Sequence, residues 1–141
     1  MDLDRFRHHL TGPVASINTP FLEDDSIDYD GLRRFIDFTI ESGAGTVLFT
    51  PGDSLYPVLT EAEIAELTAF TSSVVNKRAL FIASADFWST SQTAEFAVYA
   101  RDCGADAMIV VPPDRGLTVD GLVRYYDTVS KTLPAFILSA G

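Results

Sequence analysis

Three aspartates follow three successive apolar runs of the sequence, and they are the first candidates for chemistry. Asp53, Asp86 and Asp114 each come shortly after such a run. If the runs are parallel strands, the three carboxylates meet at one edge of a sheet, where oxygen ligands would suit a hard cation such as Mg²⁺. Aspartate after a strand also commonly caps a turn. Because the spacing matches no metal motif, we expect no metal and no cofactor.

The segment from Pro51 to Ser54 is the second candidate, because its type of turn can bind an anion. Its backbone N–H groups and its hydroxyl could face a negatively charged group near a helix N-terminus, although a tight turn without a ligand also explains Pro-Gly. Arg115 is the only arginine that we place on the same face. It could hold a carboxylate through two parallel hydrogen bonds, or lie free on the surface. The predicted substrate-binding residues are Gly52, Asp53, Ser54 and Arg115.

Five apolar, β-branched runs predict the strands that position these residues. An amphipathic helix pattern separates each run from the next, and the runs begin 27 to 34 residues apart, near Val14, Gly45, Ala79, Ala107 and Pro134. A repeated strand–helix unit of this length predicts a parallel sheet. The regular repeat favours the (β/α) units of a TIM barrel. The predicted fold class is therefore α/β, with about five strands and four helices of the eightfold barrel.

The predicted strands cover residues 14–18, 46–50, 79–84, 107–111 and 135–138. Since a closed TIM barrel needs eight units and about 250 residues, we interpret residues 1–141 as a single domain, the N-terminal part of a (β/α)8 barrel whose chain continues. The alternative is that two copies close on each other. The segment before the first strand, which carries His8 and His9, is predicted to be a short charged stretch exposed to solvent.

Composition narrows the class of partner. The net charge is −10, and such a surface repels phosphate backbones, so we expect no nucleic acid. No run of about 18 apolar residues is present, so no membrane span is predicted. The charged first ten residues lack an apolar signal core, and the single cysteine, Cys103, allows no internal disulfide. These features predict a cytoplasmic protein, and the open edges of a five-stranded sheet predict a homo-oligomer.

Several segments, in this order and spacing, together resemble one family. These segments are Gly12-Pro13-Val14, Asn18-Thr19-Pro20-Phe21, Ile27-Asp28-Tyr29-Asp30-Gly31-Leu32, Gly43-Ala44, Leu59-Thr60-Glu61-Ala62-Glu63 and Gly104-Ala105-Asp106-Ala107. With them, the chain resembles the opening half of the dihydrodipicolinate synthase and N-acetylneuraminate lyase family, as a divergent member. The resemblance implies a TIM barrel about twice as long as this chain. It also implies a class I aldolase-type lyase or synthase, in which a lysine on the sixth strand forms a Schiff base with pyruvate or a related 2-oxo acid.

The chain departs from the family at the positions that carry this chemistry. The family holds the substrate carboxylate with adjacent hydroxyl residues after strand two, where this chain has Asp53 and Ser54 at or beside those positions, and Leu55 where glutamate is usual. The family tyrosine that shuttles protons after strand five is replaced by Leu138, which has no proton to relay. The two lysines, Lys77 and Lys131, lie at predicted helix C-termini, away from the barrel mouth. No catalytic residue is therefore assigned.

Two hypotheses remain open from the sequence. The first is a divergent lyase or synthase that acts on a small anionic keto acid or sugar acid, and that is inactive as this chain alone because the Schiff-base lysine is absent. The second is a non-catalytic half barrel that binds a small acid or associates with itself. A fold shared with enzymes does not by itself supply activity.

Overall fold

The computed structural model describes residues 3–86, 88–111 and 118–138. Its regular elements alternate along the chain between helices and strands. They are α1 (Leu3–Leu10), β1 (Val14–Ser16), α2 (Tyr29–Glu41), β2 (Thr46–Leu48), a 3₁₀ helix (Tyr56–Val58), α3 (Glu61–Val75), β3 (Leu80–Ser84), α4 (Thr90–Cys103), β4 (Ala107–Val110), α5 (Val119–Ser130) and β5 (Ala135–Ile137).

All strand pairs in the described sheet are parallel, as the sequence predicted. The strand order is β1-β2-β3-β4-β5, so each strand pairs with the next one along the chain. One helix crosses over between each pair of strands, and this connection is what parallel neighbours require. The fold prediction of consecutive parallel (β/α) units is confirmed. The observed strands are up to two residues shorter than the predicted ones.

Local sequence signals fix where the helices begin. Thr60 forms a capping box with Glu63 at the start of α3, and Ser89 forms a second one with Gln92 at the start of α4. In each box, the hydroxyl and the carboxylate or amide oxygen accept hydrogen bonds from N–H groups that the helix leaves unpaired. These caps orient each helix at the point where the loop from the preceding strand ends.

The two faces of the sheet pack differently because side chains alternate along a strand. The outer face packs against the helices and forms the main core, which includes Val47, Phe49, Phe81, Met108 and Val110. The inner face forms a smaller cluster of Ile82, Ala107 and Ile109, joined by Leu48 and Phe136 and by Phe6 of α1. The inner face corresponds to the interior of a barrel, and α1 lies at its amino end.

Helix α1 corrects the prediction of four helices and of a solvated stretch before the first strand. Residues 3–10 form a fifth helix, whose Phe6 contacts the inner cluster. Leu3, Phe6 and Leu10 recur at helical spacing, a signal that the charged composition of the segment obscured. At the end of this helix, His8 is exposed and His9 is half-buried. Within the described part of the chain, no helix has the length and apolar character needed to cross a membrane.

The amino end of the sheet is closed by an ion-pair network around Asp106. This carboxylate accepts hydrogen bonds from Arg5 of α1 at 2.5 Å and from Lys77 at 3.0 Å, as well as from the backbone N–H of Phe81 at 3.0 Å. Burial by itself would raise the pKa of Asp106, but these donors outweigh it and hold the pKa of the carboxyl below its usual range. The network ties α1 and the α3–β3 turn to the start of β4.

Candidate functional site

The carboxyl ends of the parallel strands meet at one edge, which we call the rim. Within the described residues the rim comprises Asn18 and Thr19 after β1, residues 50–56 after β2, and Asp86 with Trp88 after β3. The sequence predicted Asp53, Asp86 and the segment from Pro51 to Ser54 for this face. In (β/α) folds this end of the sheet carries the chemistry. Asp114 and Arg115, which were also predicted for this face, lie outside the described residues.

Ser54 ties the loop after β2 to the end of β1. Its hydroxyl donates to the carbonyl of Ile17 at 2.6 Å and accepts the N–H of Thr50 at 3.1 Å. The Thr19 hydroxyl in turn donates to the carbonyl of Ser54 at 2.6 Å. Ser54 is fully buried, so in this arrangement its hydroxyl fixes the loop and does not face the open side of the rim.

Gly52 and Asp53 are the exposed members of the same loop. The backbone N–H of Asp53 donates to the Thr50 hydroxyl at 3.2 Å, whereas its carboxylate extends into solvent. Gly52 has open space around its α-carbon, with no atom within 4 Å of where a side chain would begin. Of the four predicted binding residues, Gly52 and Asp53 are therefore the ones that are exposed on the described rim.

Tyr56 is the buried anchor of this loop. The chain enters its 3₁₀ helix through Leu55, whose φ of 60° lies in the left-handed region that non-glycine residues seldom adopt. The Tyr56 ring packs 6.0 Å from that of Phe49, and the residue is 0% exposed. Its hydroxyl has no hydrogen-bond partner among the described residues. Burial first, and then the negative charge of Asp86, raise the pKa of the Tyr56 phenol, whereas the neighbouring Thr68 hydroxyl lowers it.

Asp86 is a half-buried carboxylate directly after the end of β3. Its Oδ1 atom is buried and has no hydrogen-bond partner within the described part of the structure. An ionised carboxylate is an acceptor only, and leaving one of its oxygens unpaired away from water is costly. Asp86 and Tyr56 thus each have a buried oxygen without a hydrogen-bond partner in the described part of the structure.

After β5, the described part of the rim carries an apolar residue. Leu138, at the position that the resemblance assigns to a tyrosine, is the last described residue and is 42% exposed. Below it, Tyr125 of α5 donates to the carbonyl of Val111 at 3.1 Å and contacts the Thr93 hydroxyl at 3.1 Å. Tyr125 is thus used structurally, and no described phenol replaces the missing one at position 138.

The two lysines lie at or just beyond helix C-termini, as the sequence predicted. Lys77 follows α3 and donates to the carbonyl of Gly104 and to Asp106 at the amino end. Lys131 caps the end of α5 and pairs with Asp127 at 2.7 Å. A Schiff-base lysine needs a desolvated position in the pocket, and these ammonium groups are both exposed.

The chemistry of Tyr56 could not be predicted from the sequence, because an unpaired buried hydroxyl has no sequence signature. As for a metal, no group of three or more histidine, cysteine, aspartate or glutamate side chains comes together among the described residues.

Consecutive parallel (β/α) units with polar loops at the carboxyl ends define part of a TIM barrel. Solved structures with this architecture superpose on the chain. The dihydrodipicolinate synthase from Oceanobacillus iheyensis gives a TM-score of 0.80 at 27% identity, over 88% of this chain and 42% of that chain. The dihydrodipicolinate synthase from Aquifex aeolicus gives a TM-score of 0.81 at 28% identity, over 89% of this chain and 44% of that chain.

The family itself is shown by sequence. The model of the dihydrodipicolinate synthetase family matches residues 9–139, and the chain belongs to this family. The 4-hydroxy-tetrahydrodipicolinate synthase of Gluconacetobacter diazotrophicus is 35% identical over 122 residues, which are 84% of this chain and 40% of that protein. The enzyme of the same name from Methanococcus maripaludis is 35% identical over 127 residues, which are 88% of this chain and 43% of that protein. The chain thus spans less than half the length of these relatives.

Proposed function

We propose that these residues form the first five units of a divergent lyase or synthase of the class I aldolase type. Its substrate is a small anionic keto acid, pyruvate-like, or a sugar acid. The observation that carries the proposal is the family match over residues 9–139. Family members hold the keto acid as a Schiff base on a lysine of the sixth strand, and that strand is not among the five described here.

The rim supports a binding role within this scheme. The exposed loop at Gly52 and Asp53 presents backbone to solvent beside the buried Ser54 hydrogen bonds that keep it in place. Backbone N–H groups can hold a carboxylate without a positive side chain. The exposed Asp53 carboxylate opposes an anion, so we expect weak binding, with Arg115 as the cation that offsets it.

The chain alone should bind the acid and not turn it over. Both lysines are exposed at the amino end of the barrel or on the outside of α5, where their amines stay charged and are poor nucleophiles. We therefore expect no covalent intermediate on Lys77 or Lys131.

Borohydride trapping with pyruvate, read by intact mass, tests the proposed function. The 141-residue chain should gain no mass, whereas a chain extended by further (β/α) units from its own coding sequence should gain one reduced adduct. Replacing the lysine about one unit beyond residue 141 should abolish that adduct. An adduct on Lys77 or Lys131, or no lysine in the extension, would contradict the proposal.

A second candidate is a non-catalytic half barrel that associates with itself. It is favoured by the open inner face, where Val14 of β1 is 49% exposed and Leu138 beyond β5 is 42% exposed. Strands β1 and β5 each have a single neighbour in the described sheet, and open edges favour association. Sedimentation of the chain tests this: a Val14→Asp, Leu138→Asp double variant should become monomeric, while Val119→Asp, at an exposed position on α5, should not.

A further inference from the structure

Leu55 is an exposed apolar residue held between two fully buried ones. Ser54 and Tyr56 are both 0% exposed, whereas Leu55 is 43% exposed. Its φ of 60° lies in the left-handed region, which is unfavourable for an L-residue with a bulky side chain. Glycine or asparagine adopts this backbone more readily. Folding alone therefore gains little from a leucine here, and residues kept in such conformations cluster at binding and active sites.

Backbone hydrogen bonds place Leu55 beside the open part of the rim. The N–H of Leu55 donates to the carbonyl of Gly52 at 3.1 Å, and this bond closes a turn in which the two α-carbons lie within about 7 Å of each other. Gly52 is exposed and has open space around its α-carbon. A ligand held at the Gly52 backbone therefore needs only a short carbon chain to contact Leu55.

Val58, which is 71% exposed, extends this apolar surface. Its N–H donates to the carbonyl of Leu55 at 3.1 Å, so the two residues are separated by a single 3₁₀ turn, a rise of roughly 6 Å. We call Leu55 and Val58 the apolar patch. The Ser54 hydrogen bonds and the buried Tyr56 fix the loop that carries it. Because the patch is already in place, a ligand that binds there does not have to order it.

We infer that the apolar patch binds the carbon chain of the acid, which makes Leu55 a specificity-determining residue. This inference rests on the proposed function, which leaves a keto acid and a sugar acid open, and it selects between the two. A polyhydroxylated chain against the patch loses hydrogen bonds to water without gaining partners, whereas an alkyl chain buries apolar surface there. The substrate is therefore a 2-oxo acid with an alkyl chain beyond its keto carbon, and pyruvate is a shorter analogue of it.

The place of the leucine in the fold is tested first, without any ligand. Leu55→Asn removes the apolar side chain and supplies a residue that tolerates left-handed backbone. Its urea midpoint should equal or exceed that of the wild type, and its sedimentation coefficient should be unchanged. A lowered midpoint would show that the side chain serves the core, and altered sedimentation would show that it serves contact between copies. Either result would overturn the inference.

The chain preference is tested with pyruvate, 2-oxovalerate and 2-ketogluconate, whose affinities are measured from the amide resonances of Gly52 and Asp53. Each methylene buried against the patch should raise affinity about fourfold. We therefore expect the wild type to favour 2-oxovalerate over pyruvate by roughly tenfold, and to bind 2-ketogluconate no more tightly than pyruvate. Leu55→Asn should abolish the preference for 2-oxovalerate and leave pyruvate affinity unchanged, and Val58→Thr should reduce the preference.

The matched control is Val98→Thr, which makes the same change at an exposed valine of α4 and should keep the full preference. Equal affinities for pyruvate and 2-oxovalerate in the wild type, or a preference that survives Leu55→Asn, would overturn the role of the patch and leave the proposed function intact. Tighter binding of 2-ketogluconate than of 2-oxovalerate would do the same. Binding of none of the three acids would overturn both the inference and the proposed function.

Discussion

Asp86 and Asp106 are both half-buried carboxylates, and they lie at opposite ends of the same sheet. Asp106, at the amino end, accepts hydrogen bonds from Arg5, Lys77 and the N–H of Phe81. Asp86, at the carboxyl end, has a buried oxygen with no partner in the described structure. The same side chain is therefore fully used at one end and left unsatisfied at the other.

This difference separates stability from function along the barrel axis. A complete network lowers the free energy of the folded state, whereas an unsatisfied group raises it and remains available to a ligand. In (β/α) folds the amino end contributes to stability and the carboxyl end to chemistry. The two aspartates follow this division, although both occur in short polar turns next to apolar strands.

Replacement of the two aspartates should give the largest contrast. Asp106→Ala leaves the Phe81 N–H and the Lys77 ammonium without their acceptor, and should cost about 3 kcal/mol of unfolding free energy. Asp86→Asn removes a partly desolvated charge and, within the described structure, breaks no hydrogen bond of Oδ1, so the change should stay below about 1 kcal/mol. Urea unfolding followed by the fluorescence of Trp88, the single tryptophan, measures both. Equal costs would contradict the division between the two ends.

Acidification should selectively remove the stability that the ion-pair network around Asp106 contributes. Because the folded-state pKa of Asp106 is lowered, its contribution is present above the unfolded value of about 3.9 and is lost as pH falls through the lower folded value. We expect Asp106→Asn to be less stable than the wild type at neutral pH and to lose less further stability between about pH 4 and pH 2. Parallel pH profiles for the two proteins would show that the network does not act through this carboxyl.

Ser54 is the exception at the rim, because its hydroxyl is fully paired. Ser54→Ala removes the donor to the carbonyl of Ile17 and the acceptor for the Thr50 N–H, and should cost about 2 kcal/mol. Ser73→Ala, which removes an exposed hydroxyl bonded to a carbonyl of its own helix, is the matched control and should change stability by less than about 0.5 kcal/mol. A cost for Ser54→Ala no greater than the control would mean that the loop after β2 is not held by this residue.

The strand–helix repeat could be predicted from the sequence because short-range sequence patterns determine its elements. Runs such as Thr46 to Thr50 and capping boxes such as Thr60 with Glu63 act over a few residues. Helix α1 was missed because its apolar stripe is narrow and lies among charges. Its place depends on distant contacts, such as that of Arg5 with Asp106, which no local pattern encodes.

The candidate site could be placed on the rim but not resolved into roles. Gly52, Asp53 and Ser54 were predicted together, yet only the structure separates the exposed pair from the buried hydroxyl. That distinction depends on the carbonyl of Ile17, 37 residues away in sequence. The unpaired Tyr56 hydroxyl likewise depends on which groups the fold brings within hydrogen-bonding distance, and residue types alone do not predict that.

Two glycines extend the comparison to the backbone and give the smallest expected effects. Gly104, at the amino end, has a φ of +105°, and a β-carbon there would lie 2.9 Å from the Ser72 hydroxyl oxygen. Gly104→Ala should therefore cost about 1–2 kcal/mol, because an L-residue is strained in this conformation. Gly52, at the rim, has open space around it, and Gly52→Ala should change unfolding free energy by less than about 0.5 kcal/mol.

The same two glycine variants should distinguish effects on stability from effects on ligand affinity. If the Gly52 backbone faces the acid, Gly52→Ala should weaken pyruvate binding by severalfold while the urea midpoint stays in place, since the new methyl group occupies the ligand's side of the loop. Gly104→Ala should do the opposite, lowering the midpoint and leaving the affinity of the folded protein unchanged, because it lies at the far end of the sheet. A loss of affinity in Gly104→Ala at temperatures where it is fully folded would show that the two ends are coupled, and the division drawn from Asp86 and Asp106 would then have to be abandoned.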